Sequence, residues 1–362
     1  MQHIFKAKRI SAYDAISTAQ RIAFAPVIFQ AVRALRDLGI LSTLESAGSS
    51  GTTIDLIATE LGLSKYGVQV LLESGLSSGV IDFVDEEYFA ISKVGHFLLH
   101  DQMTRINMDF SHFVCYQGMY HLDEAIVNGR PAGLHVMDEN HSTLYEALPH
   151  LSEDIKSSWH AFDHYYSDAV YPIALEIILS RHPETLVDIG ASQGRFSILA
   201  AQADDNLRVT MIDLADQLTE AVSLVDRSGF GNRVDALDMD IRLEDSEMPP
   251  NRDAYWLSQL LCCFSETEVV SILQRLATAM SSDSRLYILE TCWNRQQHEA
   301  ASFSLVNTSL YFTCIANGNS KIFASEELLD CIERSGLQCD HVTDNLNNFH
   351  TLFECKKTAV TA

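Results

Sequence analysis

The sequence predicts an α/β chain in two parts: a doubly wound, mostly parallel seven-stranded sheet, preceded by a helical domain of winged-helix-like form. Three observations carry this. From Thr185 onward, short apolar runs alternate with amphipathic segments, the pattern of parallel strands joined by helices. One such run, Leu186-Val187-Asp188-Ile189, leads into a turn with glycine at both ends, Gly190-Ala191-Ser192-Gln193-Gly194. Upstream of residue 105, helical periodicity gives way to two short β segments around an acidic turn.

In the amino-terminal part, Phe24 to Leu44 places Val27, Ala31, Ala34, Leu35 and Leu38 on one helical face, and Gly39 closes its first stretch. Thr52-Thr53-Ile54 opens a short helix through Leu61. Ser64 has the chemistry of an N-cap for a second helix, Lys65 to Leu76. After Gly79, the run VIDFVDEEYFAIS reads as two β segments around Asp85-Glu86-Glu87. Helix, turn, helix and wing raise the possibility of DNA binding. The second helix carries one lysine and no arginine, too few cations to grip phosphates, so dimerisation is the expected role.

In the carboxyl-terminal part the expected strands are 186–190, 208–213, 233–238, 254–261 and 285–290. A closing pair, 338–343 and 350–355, is joined by a short Asn-rich turn and so pairs antiparallel. Helices are expected over Arg195 to Gln202, Ala215 to Asp226, Ser265 to Met280 and Ser325 to Ser335. The division is thus residues 1–105 for the winged-helix-like domain, 106–180 for a helical linker and pocket-lining region, and 181–362 for the sheet domain.

Composition narrows the partners. A chain of 362 residues exceeds one comfortable core. Its formal net charge of −24 repels nucleic acid and anionic membranes alike, so neither is an expected partner. No segment reads as long and apolar enough to span a bilayer, and Met1 to Lys6 lacks the apolar run of a secretory signal. The eight cysteines show no CxxC and no His/Cys ligand spacing. They read as reduced, mostly buried thiols of a cytoplasmic protein, and no metal centre is expected.

The turn after the first strand carries the chemistry. Its pattern is D-x-G-x-x-x-G, with Asp188, Gly190 and Gly194, not the G-x-G-x-x-G of a pyrophosphate cradle. A side chain at either glycine is expected to strike a ligand lying across the strand ends, and the loop suits an amino-acid tail and a ribose. The next strand ends in Asp213-Leu214, where a carboxylate can accept both ribose hydroxyls. The third ends in Asp238-Met239, an acid for an adenine amino group and a thioether for its ring.

With these motifs in place, the chain resembles the class I, Rossmann-like S-adenosylmethionine-dependent methyltransferases of the plant phenolic and bacterial polyketide O-methyltransferase type, over nearly its full length. The resemblance implies S-adenosyl-L-methionine as cofactor and methyl transfer to a hydroxyl of a small aromatic or polyketide-like acceptor. It also implies a homodimer whose winged-helix dimerisation domains interlock and help wall the pocket.

In that family the fourth strand runs into a segment of the form L-K-x-x-L-H-D-W, whose histidine deprotonates the acceptor. Here the segment reads Leu257-Ser258-Gln259-Leu260-Leu261-Cys262-Cys263-Phe264. Ser258 stands for the lysine, Cys262 for the histidine and Cys263 for the aspartate. Glu290 keeps the family's acid at the end of the fifth strand, Ile322 replaces a second acid, and Asn317 is retained in the acceptor-binding stretch.

Cys262 is therefore pocket wall or, less readily, a thiolate base, since its sequence neighbours offer no cation. The stretch Trp159 to Asp168 corresponds to the family's pocket-lining helix and supplies another base candidate, His164, with Phe162 and Tyr166 against the acceptor. His350 is a second candidate. Ring C-methylation, a silent cofactor-binding subunit and a DNA-binding regulator are the alternatives.

Overall fold

The computed structural model describes residues 4–6 and 9–358. The reading of Met1 to His3 as part of an amino terminus without a signal lies outside them. Two compact units divide the chain, Lys6–His112 and Phe113–Ala362 with Met1–Phe5.

The smaller unit begins with α1 (Ala12–Asp37), whose N-cap Ser11 accepts the Asp14 N–H. Gly39, at φ +84°, turns the chain into α2 (Ile40–Ala47). Then follow α3 (Ile54–Leu61) and α4 (Lys65–Ser78), capped by Thr53 and Ser64 as the sequence predicts. β1 (Ile81–Asp85) and β2 (Tyr88–Ile91) form the antiparallel wing, so the domain is not purely helical. α5 (Lys93–His100) and α6 (Gln102–Phe110) complete the unit. Leu35, Leu44, Ile57, Leu72 and Ile81 fill its core.

Two expectations for α1 need correction. It starts well before Phe24; of the five residues placed on one helical face, Leu35 is fully buried. Val27 and Leu38 are 64% and 45% exposed. Moreover, α1 is long and apolar enough, by length and composition, to cross a membrane, although no segment was expected to be.

The larger unit contains α7 (Leu122–Asn128), α8 (Leu144–Ala147), α9 (Glu153–Ser167) and α10 (Tyr171–Leu179) ahead of its sheet. The sheet series runs β3 (Thr185–Ile189), α11 (Arg195–Ala203), β4 (Arg208–Asp213), α12 (Ala215–Arg227), β5 (Val234–Asp238), β6 (Ala254–Ser258), α13 (Glu266–Ala279) and β7 (Arg285–Glu290). It closes with α14 (Glu299–Tyr311), α15 (Ser325–Arg334), β8 (Leu337–Leu346) and β9 (His350–Lys357). The strand order is β5-β4-β3-β6-β7-β9-β8, with β9 antiparallel to both neighbours and the other adjacent pairs parallel.

Strand residues alternate between two cores. Val187, Tyr255, Leu257 and Ile288 pack on the α13 and α15 face, while Leu186, Trp256 and Leu289 pack on the α10 and α11 face. The chain reverses its winding between β3 and β6, which opens a crevice at the carboxyl ends of these strands. α14, absent from the sequence expectations, lacks an amphipathic stripe: Tyr311 is buried while Phe303 on the same helix is 62% exposed.

Candidate active site

At the crevice, Gly190 and Gly194 adopt φ +76° and +73°, conformations that L side chains rarely adopt. Beside the expected reason for these glycines, room for a ligand, the packing within the chain gives a second. A Cβ on Gly190 would lie 2.8 Å from Leu260 Cδ1, and one on Gly194 would lie 2.9 Å from Met211 Sδ. Backbone handedness favours glycine at both positions, and a side chain there would also displace the ends of Leu260 and Met211.

The turn is braced from β4. The N–H groups of Gly190 and Ala191 reach the Ile212 carbonyl, and Ser192 N–H donates to Asp213 Oδ2 at 2.8 Å. Leu214 N–H donates to Asp213 Oδ1, also at 2.8 Å. Each carboxylate oxygen thus keeps a lone pair for a further donor. Burial raises the Asp213 carboxyl, and these two N–H groups partly offset it.

Asp238 is the register partner of Asp213 on β5 and is exposed, and Met239 N–H donates to the Asp213 carbonyl at 3.0 Å. Asp188 sits one step back from its strand end and shares the parity of Leu186. Its Oδ2 therefore meets α11, accepting from Ser197 Oγ at 2.6 Å, and burial pushes its carboxyl up to about 7. Ser258, ending β6, has its hydroxyl buried beside that of Tyr171.

α9 lays a polar cluster beside the start of α11. Arg195, directly after Gly194, pairs with Asp168 Oδ2, while Asp168 Oδ1 is buried with no hydrogen-bond partner among the described residues. Burial, and then Asp168, push the Asp163 carboxyl up to about 6 against the pull of Arg195. Burial, then Arg195 and His160, hold His164 down at about 4. His160 and His164 stack with centroids 5.5 Å apart. Phe162 meets Tyr166 edge-on at 5.2 Å, and Tyr166 in turn meets Phe349 at 5.6 Å.

A second cluster gathers where β6 and β7 end. Glu290 Oε1 accepts the Leu261 N–H at 2.8 Å and the Cys262 N–H at 3.4 Å. Burial pushes the Glu290 carboxyl up to about 7. The Cys262 and Cys263 thiols turn back to the Gln259 carbonyl, at 3.4 and 3.9 Å. Cys263, burial and Glu290 hold the Cys262 thiol well above its usual range. It is a neutral thiol near pH 7, with no nearby cation to expose a thiolate.

Asn317 donates from Nδ2 to the Cys263 carbonyl and accepts Ser320 Oγ at 2.8 Å. The Tyr145 hydroxyl is buried against the two cysteines. Trp159 Nε1–H donates to the Tyr311 hydroxyl at 2.8 Å, which ties this cluster to α9. His350 is wholly buried with Nε2 3.2 Å from Gln259 Oε1, and burial holds it at about 4.

The structure thus brings together Cys262, Glu290 and Asn317 at one end of the sheet, and His164, Phe162 and Tyr166 along α9. Gly190, Gly194, Asp213, Leu214, Asp238 and Met239 stand at or just beyond the carboxyl ends of β3, β4 and β5. The sequence reading did not assign Asp163, Asp168, Arg195, Tyr145 or Tyr311. Arg195 was visible as the cation immediately after the glycine turn. Tyr145 and Tyr311 had no motif to mark them.

Comparison with known proteins places these features. A Dimerisation2-like domain model matches residues 17–89, and an O-methyltransferase domain model matches residues 167–332. The mitomycin biosynthesis 6-O-methyltransferase of Streptomyces lavendulae is 29% identical over 156 residues, 43% of this chain and 42% of that protein. The chain spans about half or less of the length of the first curated relatives it matches. The solved structure of a mitomycin 7-O-methyltransferase superposes with a TM-score of 0.72 at 20% identity, covering 96% of this chain and 98% of the other. An O-methyltransferase from neocarzinostatin biosynthesis, solved with S-adenosylmethionine and a hydroxynaphthoic acid, gives 0.66 at 18% identity, covering 91% and 95%. These structural likenesses concern the fold.

Proposed function

We propose that this chain, which belongs to the S-adenosylmethionine-dependent methyltransferases of the small-molecule O-methyltransferase type, moves a methyl group to a hydroxyl of a small aromatic or polyketide-like acceptor. The observation that carries the reading is Asp213. It is a carboxylate at the carboxyl end of β4, the strand beside the β3–β6 winding reversal, oriented by two backbone N–H groups and keeping acceptor capacity on both oxygens. The family description and the relatives above concern oxygen, which favours a hydroxyl over a ring carbon.

The residues present fit the cofactor. Asp213 would take the ribose hydroxyls, with Leu214 beside it, and Asp238 and Met239 would meet the adenine. The turn from Gly190 to Gly194 would cradle the amino-acid tail. The unpartnered Asp168 oxygen and the Arg195 guanidinium offer that tail one charge of each sign. Asp188 would brace the loop from behind through Ser197, and Ser258 would border the transferring end. When bound, the cofactor supplies a sulfonium methyl.

Acceptor positioning falls to Phe162, Tyr166 and Asn317, and to the aromatic wall of Tyr145, Trp159 and Tyr311. Alignment of reactants accounts for up to about 7–11 kcal/mol of barrier lowering. Glu290 would hold the backbone at Leu261 and Cys262, and Cys262 would fill space. Proton acceptance would come from α9. Asp163, titrating near 6, is better matched to a hydroxyl at neutral pH than His164, held near 4.

The subunit arrangement follows from the dimerisation-type domain: a homodimer, with the exposed apolar side chains of α1, among them Ile22, Phe24 and Val27, covered by a second copy. The eight free cysteines support a reducing, cytoplasmic setting. The test is incubation of the purified protein with isotopically labelled S-adenosylmethionine and a panel of phenols, hydroxynaphthoic acids and hydroxyquinones. A labelled methyl ether identified by mass and NMR is the expected product. A protein that binds no S-adenosylhomocysteine by calorimetry would overturn the reading.

A further inference from the structure

On the surface of the smaller unit, α5 presents His96 and His100 one helical turn apart, on the face that meets α2. Glu45 of α2 reaches between them, with Oε1 2.8 Å from His96 Nδ1 and Oε2 2.6 Å from His100 Nε2. The two rings tilt toward each other with centroids 4.8 Å apart. One ligand atom from each of the three residues lies within 4.8 Å of the others.

We propose that Glu45, His96 and His100 form a binding site for a divalent transition-metal ion of the zinc(II) type. Two imidazoles and a carboxylate are a donor set that such ions prefer, with bonds of about 2.0–2.2 Å. Tetrahedral ligands at those lengths stand about 3.4 Å apart, between the 2.6–2.8 Å of the two Glu45–histidine contacts and the 4.8 Å that bounds the whole set. Both rings are half exposed, at 55% and 51%, which leaves water to complete the coordination.

The supporting frame is stiff. The Ser92 hydroxyl caps α5 through Gly95 N–H and donates to the Gly79 carbonyl at 2.7 Å. Gly95 packs so closely that a Cβ there would lie 2.4 Å from the Val80 carbonyl oxygen. α2 is anchored by fully buried Ile40, Leu41 and Leu44. Ligands held on packed helices lose little freedom on binding. The bound ion would clip α2 to α5, and the net charge of −24 favours cation capture generally.

The experiment uses the full chain with any purification tag removed. Zinc(II) is titrated by calorimetry, cobalt(II) serves as an absorption probe, and melting is followed with and without zinc. Expected are one ion per chain, visible d–d bands without a thiolate charge-transfer band, and a rise in melting temperature. His96→Gln with His100→Gln should abolish all three, and Glu45→Gln should weaken binding about tenfold. The exposed positions of both histidines leave the fold intact in the double variant, which circular dichroism checks. Absence of binding, a thiolate band, or unchanged binding in the double variant overturns the proposal. The last would move the ion to another histidine pair, such as His121 with His135.

Discussion

Ser192 N–H donates to Oδ2 of Asp213 across the gap between β3 and β4, at 2.8 Å. The carboxylate at the end of one strand thereby shapes the turn after its neighbour, so the side chain proposed for the ribose also sets the loop geometry. Asp213→Ala is expected to weaken S-adenosylhomocysteine binding by about 2–4 kcal/mol, roughly 30- to 1000-fold, through two lost charged-acceptor bonds. Calorimetry reads this directly, and unchanged affinity would displace the ribose from Asp213.

Glu290 gives a pH-dependent stability difference. Its folded carboxyl, about 7, lies above its usual 4.5. Its contribution is full below the unfolded value and is lost as pH rises through about 7. Glu290→Gln keeps an acceptor for the Leu261 N–H and carries no charge. The variant's stability relative to wild type should therefore climb between pH 4.5 and 7 and level off above, by at most about 3 kcal/mol. Urea titrations at several pH values check it. A difference that falls with pH would show the wrong sign.

The proton acceptor is separable by its titration. With Asp163 as base, kcat rises with pH through about 6 and loses that step in Asp163→Asn, with a drop of about 10²–10⁴. With His164 as base, the step sits near 4 and disappears in His164→Ala. Cys262→Ala should stay within about tenfold of wild type, as expected for a small cavity. A dead Cys262→Ala beside active Asp163 and His164 variants would return the thiol to the chemistry.

Subunit association is expected to depend on α1. Light scattering should report about twice 40.4 kDa for wild type. Val27→Asp, at a 64% exposed position, should shift the mass toward one chain without loss of helix signal. A wild-type monomer with full turnover would remove the dimer from the reading.

The sheet was legible because its strands are short apolar runs bounded by turns. Two of them, Arg208–Asp213 and Arg285–Glu290, coincide with the expected bounds. Caps at Thr53 and Ser64 were legible because side-chain capping is local. α14 was not, since neither periodicity nor a side-chain cap marks it. The positions of Asp213 and Asp238 at strand ends were readable, but Asp188's commitment to Ser197 was not, because that depends on which sheet face α11 covers. Titration behaviour was least legible of all. His164 carries an ordinary imidazole in sequence, and it is burial, then Arg195 and His160, that lower it.

β5 forms one margin of the sheet, and a margin offers its outward backbone groups to any passing strand. Its four residues after Val234 are exposed, and two of them, Asp235 and Asp238, are acids. Asp240, Glu244, Asp245 and Glu247 follow within the next connection. A second copy approaching edge to edge would set like charges against each other before any ladder could form. Asp238, proposed above for adenine, thus also adds its charge to an edge that disfavours pairing with a second copy.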